Sequence, residues 1–191
     1  MTDYQKLYSG ISKAAWGYFF LYFNINFNNV SILPSFVGYL LFLSAINLLK
    51  DEERELSLLH TLAVIMALWT GVEWLASFVG LNLEGMWQFI DIIISLVNLY
   101  FHFQFLTNLA SIAAKYQSES NELDAKLLRY RTLQTVMLTA IEVIICFQPW
   151  LSEAWTVISI CMLIVYLIAG ICLMKALFDL RKCLPTNTIE A

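Results

Sequence analysis

The positions of charged residues divide the chain into long apolar runs and short polar connections. No charged residue lies between Lys13 and Lys50, a stretch of 36 positions, whereas one helix needs only about 20 residues to cross the hydrocarbon core of a bilayer. Two helices fit into this stretch, at 11–27 and 32–49. Pro34 would lie in the first turn of the second helix, where its missing N–H costs nothing.

Four further apolar runs follow, at 56–79, 86–109, 133–147 and 155–178. Because no linker is long enough to separate two domains, the pattern predicts one domain over residues 1–191. The fold class is all-α, a polytopic transmembrane helical bundle with six spans arranged as three hairpins. The connection 115–131 is predicted to be helical and to continue into the fifth span, since Leu123, Leu127 and Tyr130 recur at helical spacing.

The basic residues predict an orientation for these spans. All 11 Lys and Arg residues lie on one side of the arrangement, at the termini and in the connections 50–55 and 115–131. By the positive-inside rule, the N and C termini and both charged connections of this multi-pass chain are therefore predicted to be cytoplasmic. Hairpins that enter the bilayer and return without crossing it would give the same distribution of charge.

Composition supports a membrane location and excludes several other classes. The chain is 60% apolar and only 14% charged, with a mean hydropathy of +0.69, whereas soluble domains carry about 25% charged residues. The net charge of -4 offers no basic surface for nucleic acid. With two histidines, four unclustered cysteines and no catalytic motif, the sequence predicts no enzyme, no metal site and no cofactor.

Three acidic residues lie inside predicted spans at one common depth. Glu73, Asp91 and Glu142 are each six or seven residues from an outer turn, which places them about 10 Å below the surface at 1.5 Å per residue. An ionisable side chain in the hydrocarbon costs roughly 2.5 to 3.5 kcal/mol on insertion scales. A shared proton or a bound cation would make such a cluster tolerable, because the outer half offers no Lys or Arg to neutralise it.

A polar stripe on the fourth span extends this acidic site towards the cytoplasm. Asp91, Ser95, Asn98 and His102 are spaced at i, i+4, i+7 and i+11, so they lie within about 60° of one another on a helix. Such groups can relay a proton or coordinate a cation where lipid offers nothing. The alternative is that they only form hydrogen bonds between helices and so fix the packing.

Two functions remain open from the sequence. The leading hypothesis is a small transporter or ion pathway in which Glu73, Asp91 and Glu142 bind a proton, a cation or a small cationic substrate, while Asn98 and His102 extend the site inwards. The alternative is a membrane protein without transport activity that binds or regulates a cytoplasmic partner through the segment 115–131.

The first predicted hairpin resembles a known group of membrane proteins. Residues 24–39 read Asn-Ile-Asn-Phe-Asn-Asn-Val-Ser-Ile-Leu-Pro-Ser-Phe-Val-Gly-Tyr, which is similar to the Leu-Pro-x-Phe-x-Gly-Tyr hairpin of small, uncharacterised multi-pass membrane proteins of Gram-positive bacteria. Ser31 and Ser35 stand where that group has acids. The resemblance implies a bacterial plasma membrane but no particular activity. Pro34 and Gly38 suit a tight turn followed by a close helix contact.

Overall fold

Six helices account for most of the chain. The computed structural model describes residues 4–23, 26–27, 30–31, 33–81, 88–117, 122–147 and 153–184. The helices are α1 (Tyr4–Tyr22), α2 (Ser35–Leu49), α3 (Leu56–Phe78), α4 (Gln88–Tyr116), α5 (Leu123–Phe147) and α6 (Glu153–Lys182). Two strands of two residues each, β1 (Asn26–Phe27) and β2 (Val30–Ser31), pair antiparallel between α1 and α2. The predicted all-helical fold with six helices is confirmed.

The helices form a closed ring in chain order. Each helix packs against the next, and α6 packs back against α1. The short connections make neighbouring helices antiparallel, so α1, α3 and α5 begin at the end of the bundle where α2, α4 and α6 finish. We call this the basic end and the other the hairpin end. Arg181 of α6 helps to close the ring, since its Nη1 donates to Ser12 Oγ of α1 at 3.2 Å.

Within the described residues, three helices are long and apolar enough to cross a membrane: Leu56–Phe78, Phe89–Tyr116 and Val157–Lys182. The prediction of six spans is therefore wrong for the first, second and fifth. Helix α2 has 15 residues and reaches about 22 Å, short of the roughly 30 Å of hydrocarbon. Helices α1 and α5 are not in that group. Helix α1 carries Lys6 and Lys13, and α5 carries Asp124, Lys126, Arg129, Arg131 and Glu142.

The first hairpin begins and ends differently from the predicted boundaries of 11–27 and 32–49. Helix α1 begins at Tyr4 and ends at Tyr22, and the chain then enters the short strand pair. Helix α2 begins at Ser35, because Pro34 has an extended backbone with φ -72° and ψ 135°. Pro34 thus precedes the helix instead of lying in its first turn. Apolar content extended the first predicted helix into β1 and the second across Pro34.

The connection 115–131 is divided between two helices. Helix α4 continues to Tyr116, and α5 begins at Leu123 and runs without a break to Phe147, so the predicted helical continuity with the apolar run 133–147 is confirmed. Gln117 joins the two ends. Its Oε1 accepts hydrogen bonds from the backbone N–H groups of Leu123 (2.6 Å) and Asp124 (3.1 Å), and its Nε2 donates to Asp124 Oδ1 at 2.7 Å. The bond from the Gln117 amide, with one from the Ala125 N–H, lowers the pKa of Asp124.

The core lies mainly at the centre of the bundle and towards the basic end. Buried apolar residues come from all six helices, including Ile11, Leu49, Leu56, Leu109, Leu127 and Leu180. By contrast, no described residue from 67 to 100 is buried, and Gln134 is the only buried residue described from 128 to 168. The halves of α3 to α6 near the hairpin end are therefore loosely packed against one another.

Helices α1 and α2 make a close contact through glycines. A Cβ atom built on Gly38 would lie 2.9 Å from the carbonyl oxygen of Gly17, and one built on Gly17 would lie 2.6 Å from the ring of Phe42. Small residues at helix crossings allow such approach. The close helix contact expected of Gly38 is confirmed.

We expect Gly38→Ala to lower the free energy of unfolding by about 1 to 3 kcal/mol, because the new methyl group would push α1 and α2 apart. Thermal unfolding in detergent, followed by circular dichroism, measures the effect. Gly71→Ala is the matched control, since its Cβ would lie 3.9 Å from Phe36, an ordinary contact. Equal unfolding temperatures for both variants would show that the Gly17–Gly38 contact is not tight.

Candidate functional site: a polar stripe and a central cavity

The polar stripe of α4 contacts polar groups on three other helices. Nearest the hairpin end, Ser95 Oγ donates to Glu142 Oε1 of α5 at 3.1 Å. About one turn further along, the hydroxyl of Tyr39, on α2, donates to Asn98 Oδ1 at 2.6 Å. Each of these stripe residues thus has a polar partner on another helix, as expected for side chains that face the inside of a bundle.

His102 lies at the centre of the bundle. Its Nε2 is 3.4 Å from the Tyr39 hydroxyl, and its Nδ1 is 3.4 Å from the hydroxyl of Tyr18 on α1. Both distances are at the outer limit for a hydrogen bond. Asn98 and His102 consequently meet at one hydroxyl, that of Tyr39, whose side chain is 2% exposed. The structure brings these two predicted site residues together.

The three acids are held in different ways. Glu73 Oε1 accepts a hydrogen bond of 2.7 Å from Trp69 Nε1, one turn earlier on the same helix. Glu142 contacts Ser95 and is exposed. Asp91 lies one turn before Ser95 on α4.

Among the described residues, which include all three acids, no three Asp, Glu, His or Cys side chains form a group that could hold a metal ion. The structure links Glu142 to the polar stripe but does not gather the three carboxylates into one metal-binding cluster. Joint binding of a proton or cation by these acids stays a prediction.

Aromatic rings pack around His102 and fill the bundle on its basic side. Phe42, Phe101 and Phe105 are completely buried. Phe101 and Phe105 stack with centroids 5.5 Å apart, and the ring of Phe42 lies 5.1 Å from that of Phe105. The His102 ring lies 5.1 Å from Phe101 and 5.8 Å from Phe42. The polar stripe therefore ends against a tightly packed aromatic cluster.

A small cavity opens beside His102 between α1, α4, α5 and α6. It is about large enough for one water molecule, and its polar lining comprises His102, Tyr18, Tyr22, Arg131, Gln134, Thr135 and Tyr166. Arg131 is anchored on the α4 side, where its Nη1 donates to Thr107 Oγ1 at 2.9 Å and its guanidinium carbon lies 4.2 Å from the centre of the Phe103 ring.

Sequence reasoning missed the partners that complete this site. Arg131 was counted only as a charge of the connection 115–131, and Tyr18, Tyr39, Gln134 and Tyr166 were not singled out. The spacing of Arg131, Gln134 and Thr135 at i, i+3 and i+4 places them on one face of a helix. That pattern was a usable signal.

In the described parts of the predicted docking segment 115–131, at 115–117 and 122–131, leucine side chains pack into the protein. Leu123 and Leu127 are buried, so its apolar residues face inwards. Lys115 Nζ donates to the carbonyl oxygen of Glu52 at 2.6 Å and pairs with Glu53 at 3.3 Å, which fastens the end of α4 to the connection between α2 and α3. Binding of a cytoplasmic partner stays a prediction.

Comparisons with family models, curated proteins and solved structures found no match. The chemistry of the site is therefore inferred from its own residues.

We expect Tyr39→Phe to lower the free energy of unfolding by about 1 to 3 kcal/mol, because Asn98 loses its buried hydrogen-bond donor. Thermal unfolding in detergent measures this change. Tyr100→Phe is the control. It removes a hydroxyl from an exposed side chain on α4, two residues after Asn98, and should shift the free energy of unfolding by less than about 0.5 kcal/mol. If Tyr39→Phe is as stable as the Tyr100 control, the Tyr39–Asn98 bond does not hold α2 against α4.

Proposed function

We propose that the protein is a multi-pass protein of the bacterial plasma membrane that moves protons or a small monovalent cation along the polar stripe of α4. The observation that carries this proposal is the meeting of Asn98 and His102 at the Tyr39 hydroxyl, one to two turns from the Ser95–Glu142 contact. From Ser95 to His102 the helix rises about 10 Å. Over that length, α4 presents polar groups to the partners that α1, α2 and α5 provide.

The chemistry of these groups favours a proton. Imidazole and hydroxyl groups both donate and accept hydrogen bonds, and a carboxylate accepts them and can be protonated. Polar and ionisable residues at membrane depth commonly mark proton relays or ion paths. Hydrogen bonds that only fix the packing would not require ionisable residues. Here Glu142 and His102 are ionisable and belong to the same line of polar groups as Ser95 and Asn98.

The packing of the bundle supports a path that is open at one end. Near the hairpin end, Glu142 is exposed and the described parts of α3 and α4 contain no buried residue. Around His102 and on its basic side, Phe101, Phe42 and Phe105 are completely buried. Transport along this path requires those rings to move apart. If the basic end is cytoplasmic, as the positive-inside rule predicts, the closed side is the cytoplasmic side.

Proton flux into liposomes containing the purified protein, followed with an enclosed pH-sensitive dye under an imposed gradient, tests the proposal. We expect Glu142→Gln and His102→Gln to reduce the flux at least about tenfold, because each removes a group that can be protonated at a fixed point of the stripe. The amides Glu73→Gln and Asp91→Asn, measured alongside, show which of the other acids contribute.

Two control variants remove the same kinds of ionisable group at positions outside the polar stripe. Glu122→Gln removes an exposed carboxyl group from the start of α5, and His60→Gln removes an exposed imidazole from α3. Both variants should retain the native flux. No flux of protons or monovalent cations through the native protein, or equal flux in the Glu142, His102 and control variants, would overturn the proposal.

A further inference from the structure

The polar lining of the central cavity is rich in hydrogen-bond donors and contains no acid. Between α1, α4, α5 and α6, the side chains of Arg131, Gln134 and Thr135 meet the hydroxyls of Tyr18, Tyr22 and Tyr166 and the ring of His102. The positive charge of Arg131 is permanent. A cavity lined in this way is complementary to a group that accepts hydrogen bonds and carries negative charge.

Arg131 has no carboxylate partner within the part of the chain that the structure describes. It lies eight residues from the start of α5, about 12 Å into the bundle. Its Nε is buried without a hydrogen-bond partner, and within the described part of the chain no carboxylate forms an ion pair with it. A partly buried charge without a counterion is unfavourable unless something compensates it.

Gln134 points to the same ligand independently. This side chain, one turn further along α5, is 4% exposed and lines the cavity. Its Nε2 is buried and makes no hydrogen bond of acceptable geometry, although it lies beside the Tyr22 hydroxyl. Buried amide N–H groups are rarely left unpaired. Two unpaired donors, Arg131 Nε and Gln134 Nε2, therefore lie on one face of α5.

We propose that the cavity is a binding site for one small monovalent anion of the size of chloride, held by Arg131 and Gln134. The size of the cavity, about that of one water molecule, excludes phosphate and larger carboxylates without rearrangement. A water molecule would satisfy the amide of Gln134 but would leave the charge of Arg131 uncompensated. The site does not require that the protein transports protons, because binding is measured at equilibrium.

Binding of radioactive chloride to the purified full-length protein in detergent, with gluconate as the replacing anion, tests this site. We expect saturable binding of one chloride per chain. Gln134→Leu should weaken it about tenfold or more, because a hydrogen bond to a charged ligand is lost while the side-chain volume is kept. Gln134→Glu should abolish it, because the new carboxylate would pair with Arg131 and take the place of the anion.

Arg129→Gln is the matched control. It removes a positive charge from α5 two residues before Arg131, on an exposed face that does not line the cavity, and it should bind chloride as the native protein does. Absence of saturable chloride binding in the native protein, as expected for a cavity filled with water only, would overturn the proposal. Native affinity in either Gln134 variant, in protein whose helix content is unchanged, would also overturn it.

Discussion

The close contact of α1 and α2 at Gly17 and Gly38 determines where the polar centre of the bundle lies. With the backbones this near, the residues next to the glycines, Tyr18 and Tyr39, are directed to the same place. Their hydroxyls approach the two ring nitrogens of one imidazole, that of His102. A wider separation of the first two helices would leave the histidine among phenylalanine rings with no polar partner. A histidine is tolerated in this apolar core because the contact between α1 and α2 positions the hydroxyls of Tyr18 and Tyr39 next to its ring nitrogens.

The tightly packed side chains and the polar side chains lie in different parts of the ring of helices. The two regions meet at His102. Towards the basic end, buried aromatic and aliphatic side chains fill the interior. Towards the hairpin end, the acids and Ser95 lie where the helices pack loosely, so carboxyl groups there are not forced into a dry core. His102 belongs to both the stripe and the cavity lined by Arg131. The charge in that cavity would therefore act on the same imidazole that the proposed proton path includes.

The periodicity of the sequence predicted those features of the fold that depend on one helix alone. The number and approximate position of six helices followed from apolar runs, and the spacing of Asn98 and His102 placed both correctly on one side of α4. The helix ends near Tyr22 and Pro34 were misplaced, because apolar composition does not distinguish a helix from a short strand pair. Tyr39, Arg131 and Gln134 were missed for another reason. Their roles depend on which helices become neighbours across the ring, and the order of residues in one helix does not specify that.

The carboxylates of Glu73 and Glu142 accept hydrogen bonds from different parts of the fold. Glu73 accepts its hydrogen bond from Trp69 on its own helix, an i, i+4 contact that requires no tertiary packing. Glu142 instead contacts Ser95 on a neighbouring helix, so its position depends on how α4 and α5 lie together. Any movement that separates these helices breaks the contact and changes the surroundings of the carboxyl group. In the proposed proton path, protonation of Glu142 would therefore be coupled to the packing of α4 against α5.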